Sequence, residues 1–110
     1  MVEVDRLIFR TLKTLKCEVF KFRAVTDEPV YIVYYIWNER DDKFAGDAPM
    51  GGTAMATVSI YSFEEEKKLA QAVRSKLRKA GFSILGTQEV FNDDTGRVQT
   101  IIEIMYEDFY

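Results

Sequence analysis

Apolar residues gather most densely in one stretch, Pro29-Val30-Tyr31-Ile32-Val33-Tyr34-Tyr35-Ile36-Trp37, which carries no charge and is flanked by polar segments. Its β-branched and aromatic side chains fit a pleated surface, and its length suits a strand rather than a membrane span. The pattern predicts a central strand over 30–37 with both faces covered. Upstream, Val4, Leu7, Ile8, Thr11, Leu12 and Leu15 fall on one stripe at 100° per residue, predicting a helix over 2–16. Phe9 falls off that stripe. Residues 17–24 alternate poorly and read as a short edge strand or an extended crossover. Pro29 biases Glu28 toward an extended conformation.

Downstream, residues 38–53 are charged and glycine-rich, and predict a loop longer than most hairpin connections, carrying Phe44 and Met50 as isolated apolar residues. Residues 54–61 alternate, with Ala54, Ala56, Val58 and Ile60 on one face and Met55, Thr57, Ser59 and Tyr61 on the other. They predict a strand antiparallel to 30–37. Ser62-Phe63-Glu64-Glu65 has the form of a capping box, starting a helix over 63–80 that Gly81 ends. Glu66 lies on that helix's apolar stripe, in its first turn. Residues 82–92 read as extended, with an irregularity at Gly86, and Asp93-Asp94-Thr95-Gly96 as a hairpin turn. In 97–106, Val98, Thr100, Ile102, Ile104 and Tyr106 alternate with Gln99, Ile101, Glu103 and Met105. Residues 107–110 read as an acidic, aromatic tail that frays unless something docks it.

This order predicts one α+β domain over 1–110: a mostly antiparallel four-stranded sheet, with a short extra edge strand if 17–24 pairs, and two helices on one face. The opposite face, with Ile101 and Met105 flanking Glu103, is left for solvent or a neighbour. Phe9, Glu66, Ile101 and Met105 are therefore the candidate subunit contacts.

Composition narrows the chemistry. The 110 residues carry a net charge of -3, without the basic cluster expected of a dedicated nucleic-acid binder. There is no histidine, which removes the usual general base and metal ligand. The lone cysteine, Cys17, allows no internal disulfide. The N-terminus has neither the basic nor the apolar region of a signal peptide, and no apolar run has membrane-spanning length. Asp41, Asp42, Asp47 and Gly46 suggest a calcium loop, but counting from Asp41, Lys43 stands at ligand-bearing loop position 3 and Gly52 where the bidentate glutamate belongs. Glu39, Asp41 and Asp42 are the best acids for an enzyme, and nothing in their spacing points to catalysis. We expect no catalytic residues, no cofactor and no metal.

Three landmarks resemble the tail terminator, or tail completion, proteins of long-tailed bacteriophages and prophages. They are the N-terminal helix followed by Pro29-Val30-Tyr31-Ile32-Val33-Tyr34; the acidic stretch leading into Thr57-Val58-Ser59-Ile60-Tyr61-Ser62 and a helix ending at Ala80-Gly81-Phe82; and the closing hairpin Phe91-Asn92-Asp93-Asp94-Thr95-Gly96 with Val98-Gln99-Thr100-Ile101. The resemblance implies a non-enzymatic virion protein. Such a protein forms a homo-oligomeric ring, a hexamer in the virion, on the head-proximal end of the tail tube. Its partners are the tail tube protein and the head–tail connector protein, with no sequence-specific nucleic acid and no membrane. Its place is the virion tail, and the host cytoplasm during assembly. Under this resemblance Asp41, Asp42, Phe44, Asp47 and Met50 face the lumen or an adjoining ring. The alternative left open by the residues is a small α+β ligand-binding or regulatory module.

Overall fold

The computed structural model describes residues 3–45 and 48–109. Seven elements follow in order: α1 (Val4–Leu12), β1 (Glu18–Lys21), β2 (Tyr31–Ala45), β3 (Ala48–Ser62), α2 (Lys67–Lys79), β4 (Ser83–Asn92) and β5 (Arg97–Phe109). The strands form one five-stranded sheet in the order β1-β2-β3-β5-β4. Every pairing is antiparallel except β1 with β2. The protein is thus α+β, with the extra edge strand present and parallel.

The alternation in the sequence sets the two faces. Ile32 and Tyr34 of β2, Ala56, Val58 and Ile60 of β3, and Ile102 and Ile104 of β5 share a buried cluster with Ile8 and Leu12 of α1 and Val73 and Leu77 of α2. Burying each of the isoleucine, leucine and valine side chains contributes about 1.5–3 kcal/mol. Ala54, Ala56 and Ala70 belong to the same cluster, where short side chains let helices and sheet approach closely.

Several expectations need correction. The centre of the sheet is β3, not the uncharged stretch. In β2, Ile32 and Tyr34 are buried on one face and Val33 on the other, but Tyr35 and Trp37 remain exposed. Residues 38–45 and 48–53 are not a loop. β2 and β3 continue as a paired ribbon through Asp41↔Gly52 and Lys43↔Gly51 to Ala45↔Ala48, with register shifts between Ile36/Asn38, Asp41/Lys43 and Lys43/Phe44. Charged side chains do not prevent pairing, because the ladder is made by the backbone. The C-terminal tail does not hang free either. β5 continues alongside β3 to the pairs Glu107↔Thr53, Asp108↔Gly52 and Phe109↔Gly51.

Both helices are shorter than their stripes. Leu12 is the last helical residue of α1. Just beyond it, the Thr14 hydroxyl donates to the Thr11 carbonyl at 2.7 Å, the local bond by which threonine competes with helix continuation. At α2 the capping box does not form. Ser62 belongs to β3 and is buried, and its hydroxyl donates to the Glu64 carbonyl at 2.6 Å. The helix begins at Lys67, with Glu66 as its N-cap and no side-chain capping bond. Its end is as predicted. The Gly81 N–H donates to Arg78 and the Phe82 N–H to Leu77, at 3.0 and 2.9 Å, a Schellman motif with Gly81 at φ +105°. The predicted irregularity near Gly86 is a register shift between Ile84 and Gly86. Gly96 turns the last hairpin at φ +69°.

A parallel neighbour normally requires a long crossover. Here β1 has four residues, so the segment 22–30 is long enough to carry the chain back to its starting level. The return begins at Phe22. Its N–H still donates to Tyr34, but its φ is +70° and the Arg23 N–H folds back onto the Lys21 carbonyl at 2.9 Å.

Candidate functional site

The open face of the sheet is built by the residues that alternate with the core. Tyr31, Val33 and Tyr35 of β2 stand beside Tyr61, Ser59 and Thr57 of β3, which in turn stand beside Gln99, Ile101 and Glu103 of β5. Met55 pairs with Met105 further along. The centre of this face is closed although no helix covers it. Thr57 and Ser59 are buried, because each lies between larger residues on both neighbouring strands. Ser59 also receives a hydrogen bond from the Gln99 amide at 3.2 Å.

One end of the face is aromatic. Tyr31 and Tyr61 stack at 5.1 Å, and Phe20 meets Tyr31 edge-on at 6.3 Å. Arg97 lies over both Tyr31 and Phe63, at 5.0 and 4.3 Å from the ring centres. Its guanidinium also donates to the carbonyls of Pro29 and Glu28, at 3.1 and 3.4 Å. The cation therefore fixes the entry of β2 against the start of β5. Burial, with Tyr31 and Tyr35 nearby, pushes the Tyr61 hydroxyl above the usual tyrosine range. At the margin, Phe22 stacks on Tyr35 at 6.3 Å.

Among the predicted contacts, Ile101 and Met105 do lie together on this open face, both half-buried. Phe9 and Glu66 do not join them, since α1 and α2 pack on the other side. Phe9 is exposed on α1, with the Lys13 ammonium 6.0 Å from its ring. Glu66 lines an open groove of about 630 Å³ between the end of α1 and the start of α2, with Lys13, Lys16, Cys17, Glu28 and Leu69. Burial pushes the Cys17 thiol up there, against the opposing charge of Lys13. Asp41, Asp42, Phe44 and Met50 fall in the paired ribbon of β2 and β3, while Asp47 lies outside the described residues.

The aromatic cluster with Arg97 was not singled out from the sequence. Its signal was present in the alternation Tyr31, Val33, Tyr35 within the uncharged stretch, which marks a second face rather than a doubly buried strand. Among the described residues, no group of three His, Cys, Asp or Glu side chains could hold a metal ion, and no helix is long and apolar enough to cross a membrane.

No protein-family model matches the chain, and none of the curated proteins does. Among solved structures, the chain is similar to a chain of a structure described as "Virion of native gene transfer agent (GTA) particle". The TM-score is 0.62 at 9% sequence identity, over 94% of this chain and 92% of that one. At that identity the likeness shows a shared fold.

Proposed function

We propose that the protein is a structural component of a phage-like particle, and specifically a ring subunit that caps the tail tube and joins it to the head connector. The observation that carries this reading is the near-complete mutual coverage with a chain of a virion particle, at 94% and 92%. It coincides with the landmarks that resemble tail terminator proteins.

Two features of the geometry support the assignment. A ring needs two different patches on each protomer. The open face around Ile101 and Met105, and the helix layer bearing Phe9 and Glu66, are two unlike surfaces on opposite sides of one sheet. The ribbon of β2 and β3, flanked by the end of β5, extends the molecule to 52 Å along its long axis, against 25 and 24 Å across. In a ring it would reach the lumen or an adjoining ring, bringing Asp41, Asp42 and Phe44 there. The acids would keep DNA from adhering to a channel wall.

Labelling the protein in intact particles tests the placement. The expected label sits at the head-proximal end of the tail, at one position per particle. Label distributed along the tail, or absent from particles, would overturn the assignment.

A further inference from the structure

The charge of α2 has one sign. Lys67–Lys79 holds six of the chain's 15 lysine and arginine residues and no carboxylate. Cations in the last turn complement the helix dipole, which accounts for that turn but not for a whole helix without an acid. A surface helix gains from Glu–Lys pairs three or four residues apart, and loses from like-charge pairs at the same spacing. α2 has only the second kind, Arg74 with Arg78 and Lys76 with Lys79. Lys67 reaches a carboxylate outside the helix, Glu65 at 3.7 Å. Among the described residues, no carboxylate lies within ion-pair distance of Lys68, Arg74, Lys76, Arg78 or Lys79. The outer face of α2 is thus arranged against its own stability, and an anionic surface laid over it would relieve the repulsion.

The chain carries the counterpart at one end of its sheet. Arg97 draws that end together, donating to the carbonyls of Pro29 and Glu28 and lying over the Phe63 ring. The turn before Arg97 and the link from β3 to α2 therefore stand side by side. They bring Glu28, Glu64, Glu65, Asp93 and Asp94 to this end, all exposed. Two aromatic rings are exposed with them, Phe63 at 52% and Phe91 at 60%. α2 starts here and runs away, so its last residue lies about 18 Å further along its axis and cannot meet this end of its own copy.

We propose that the cationic face of α2 docks on this acidic, aromatic end of a second copy of the chain. Charge complementarity identifies the occupant. The chain as a whole is acidic, at a net charge of -3, so the cations of α2 are matched within the same sequence. A nucleic acid would also satisfy the cations, but it would be repelled by the rest of the molecule and leave Phe63 and Phe91 uncovered. Exposed aromatic side chains within a polar rim are the composition of a protein interface. The two surfaces are unlike, so the contact is heterologous and each copy offers one of each. The inference rests on the ring reading above and names the surface that the helix layer meets; the open sheet face takes no part in it.

Sedimentation equilibrium of the full chain, from micromolar to about 1 mM and in about 0.05 and 0.5 M salt, tests it. The 12.8 kDa chain should self-associate, about tenfold more weakly at the higher salt. Lys76→Glu with Lys79→Glu, and separately Glu64→Lys with Asp93→Lys, should each give a monomer that is folded by circular dichroism. If the reversal disturbs α2, Lys76→Gln with Lys79→Gln should still weaken association about tenfold. An equimolar mixture of the two reversed variants should associate again, because each supplies the charge the other lacks; a merely structural defect would not be rescued by mixing. A wild-type monomer at every concentration would overturn the inference, whether or not it binds a short DNA duplex through α2. So would association indifferent to salt or to either reversal, or a mixture that stays monomeric. The ring reading fails separately: a self-associating chain whose label is absent from particles refutes the tail role alone, and a monomer found at the tail end refutes this contact alone.

Discussion

The Tyr34 hydroxyl donates to the Asp5 carboxylate at 2.7 Å, tying the buried row of β2 to the first turn of α1 across 29 residues of chain. Lys21, at the end of β1, holds the other carboxylate oxygen of the same residue. A parallel edge strand, its neighbour and a helix start are thus fastened at one point. The Lys21 hydrogen bond holds the Asp5 carboxyl below the usual carboxylate range; partial burial opposes it, and the Tyr34 bond adds to it. Burial first, then Asp5, pushes the Tyr34 hydroxyl well above the ordinary tyrosine range.

Because the folded-state pKa of Asp5 is depressed, its contribution is present above the unfolded value near about 3.9 and is lost as pH falls through the folded value. Asp5→Asn should therefore lower the melting temperature at pH 7, with the difference from wild type shrinking below about pH 4. The cost should be no more than about 1 kcal/mol, since both charged ends keep contact with solvent. Thermal melts of both proteins from pH 2.5 to 7 check this. A difference that grows toward acid would contradict it.

Two glycines at positive φ, Gly81 and Gly96, should respond unequally to alanine. A Cβ at Gly96 meets nothing within 4 Å, so Gly96→Ala carries only backbone strain, about 1 kcal/mol. A Cβ at Gly81 comes within 3.2 Å of the Tyr106 ring, at φ +105° in the Schellman turn. Gly81→Ala should cost about 2 kcal/mol or more. Urea titrations of the two variants give the comparison, and equal midpoints would contradict it.

The start of α2 offers a second contrast. Ser62 is 1% exposed and its hydroxyl donates to the Glu64 carbonyl, so Ser62→Ala should destabilise by about 1 kcal/mol. Glu65 makes no capping bond, because the helix starts two residues later. Glu65→Ala should change stability by less than about 0.5 kcal/mol. If both variants fall equally in denaturant, a capping box is operating after all.

Ile101→Asp should leave the chain folded, because Ile101 lies outside the cluster between helices and sheet. Under the ring assignment it should abolish capping, as should Phe9→Asp on the other patch. Circular dichroism separates folding from assembly, and full capping by both variants would remove these residues from the interface.

How much of this was legible in the sequence depended on whether side chains or backbone decided the element. The faces of β3 and β5 follow from strict alternation between small or aliphatic and polar residues, and Ile101 with Met105 followed from it. The end of α2 was readable because Gly81 does what only glycine does cheaply. The ribbon beyond Trp37 was not readable, since Glu39 through Lys43 and Gly51-Gly52 have loop composition while their backbones pair. Ser62-Phe63-Glu64-Glu65 has the letters of a capping box, but the β3 ladder with Val98 holds Ser62 in the sheet. The positive φ of Phe22 and the placement of Arg97 over Tyr31 and Phe63 arise from tertiary contacts that no local pattern encodes.

The most direct test of the central claim is to add the purified protein to growing tail tubes of its own particle and measure tube length by electron microscopy. The account predicts that growth stops and that each stopped tube carries one ring at one end. Tubes of unchanged length with bare ends would contradict it.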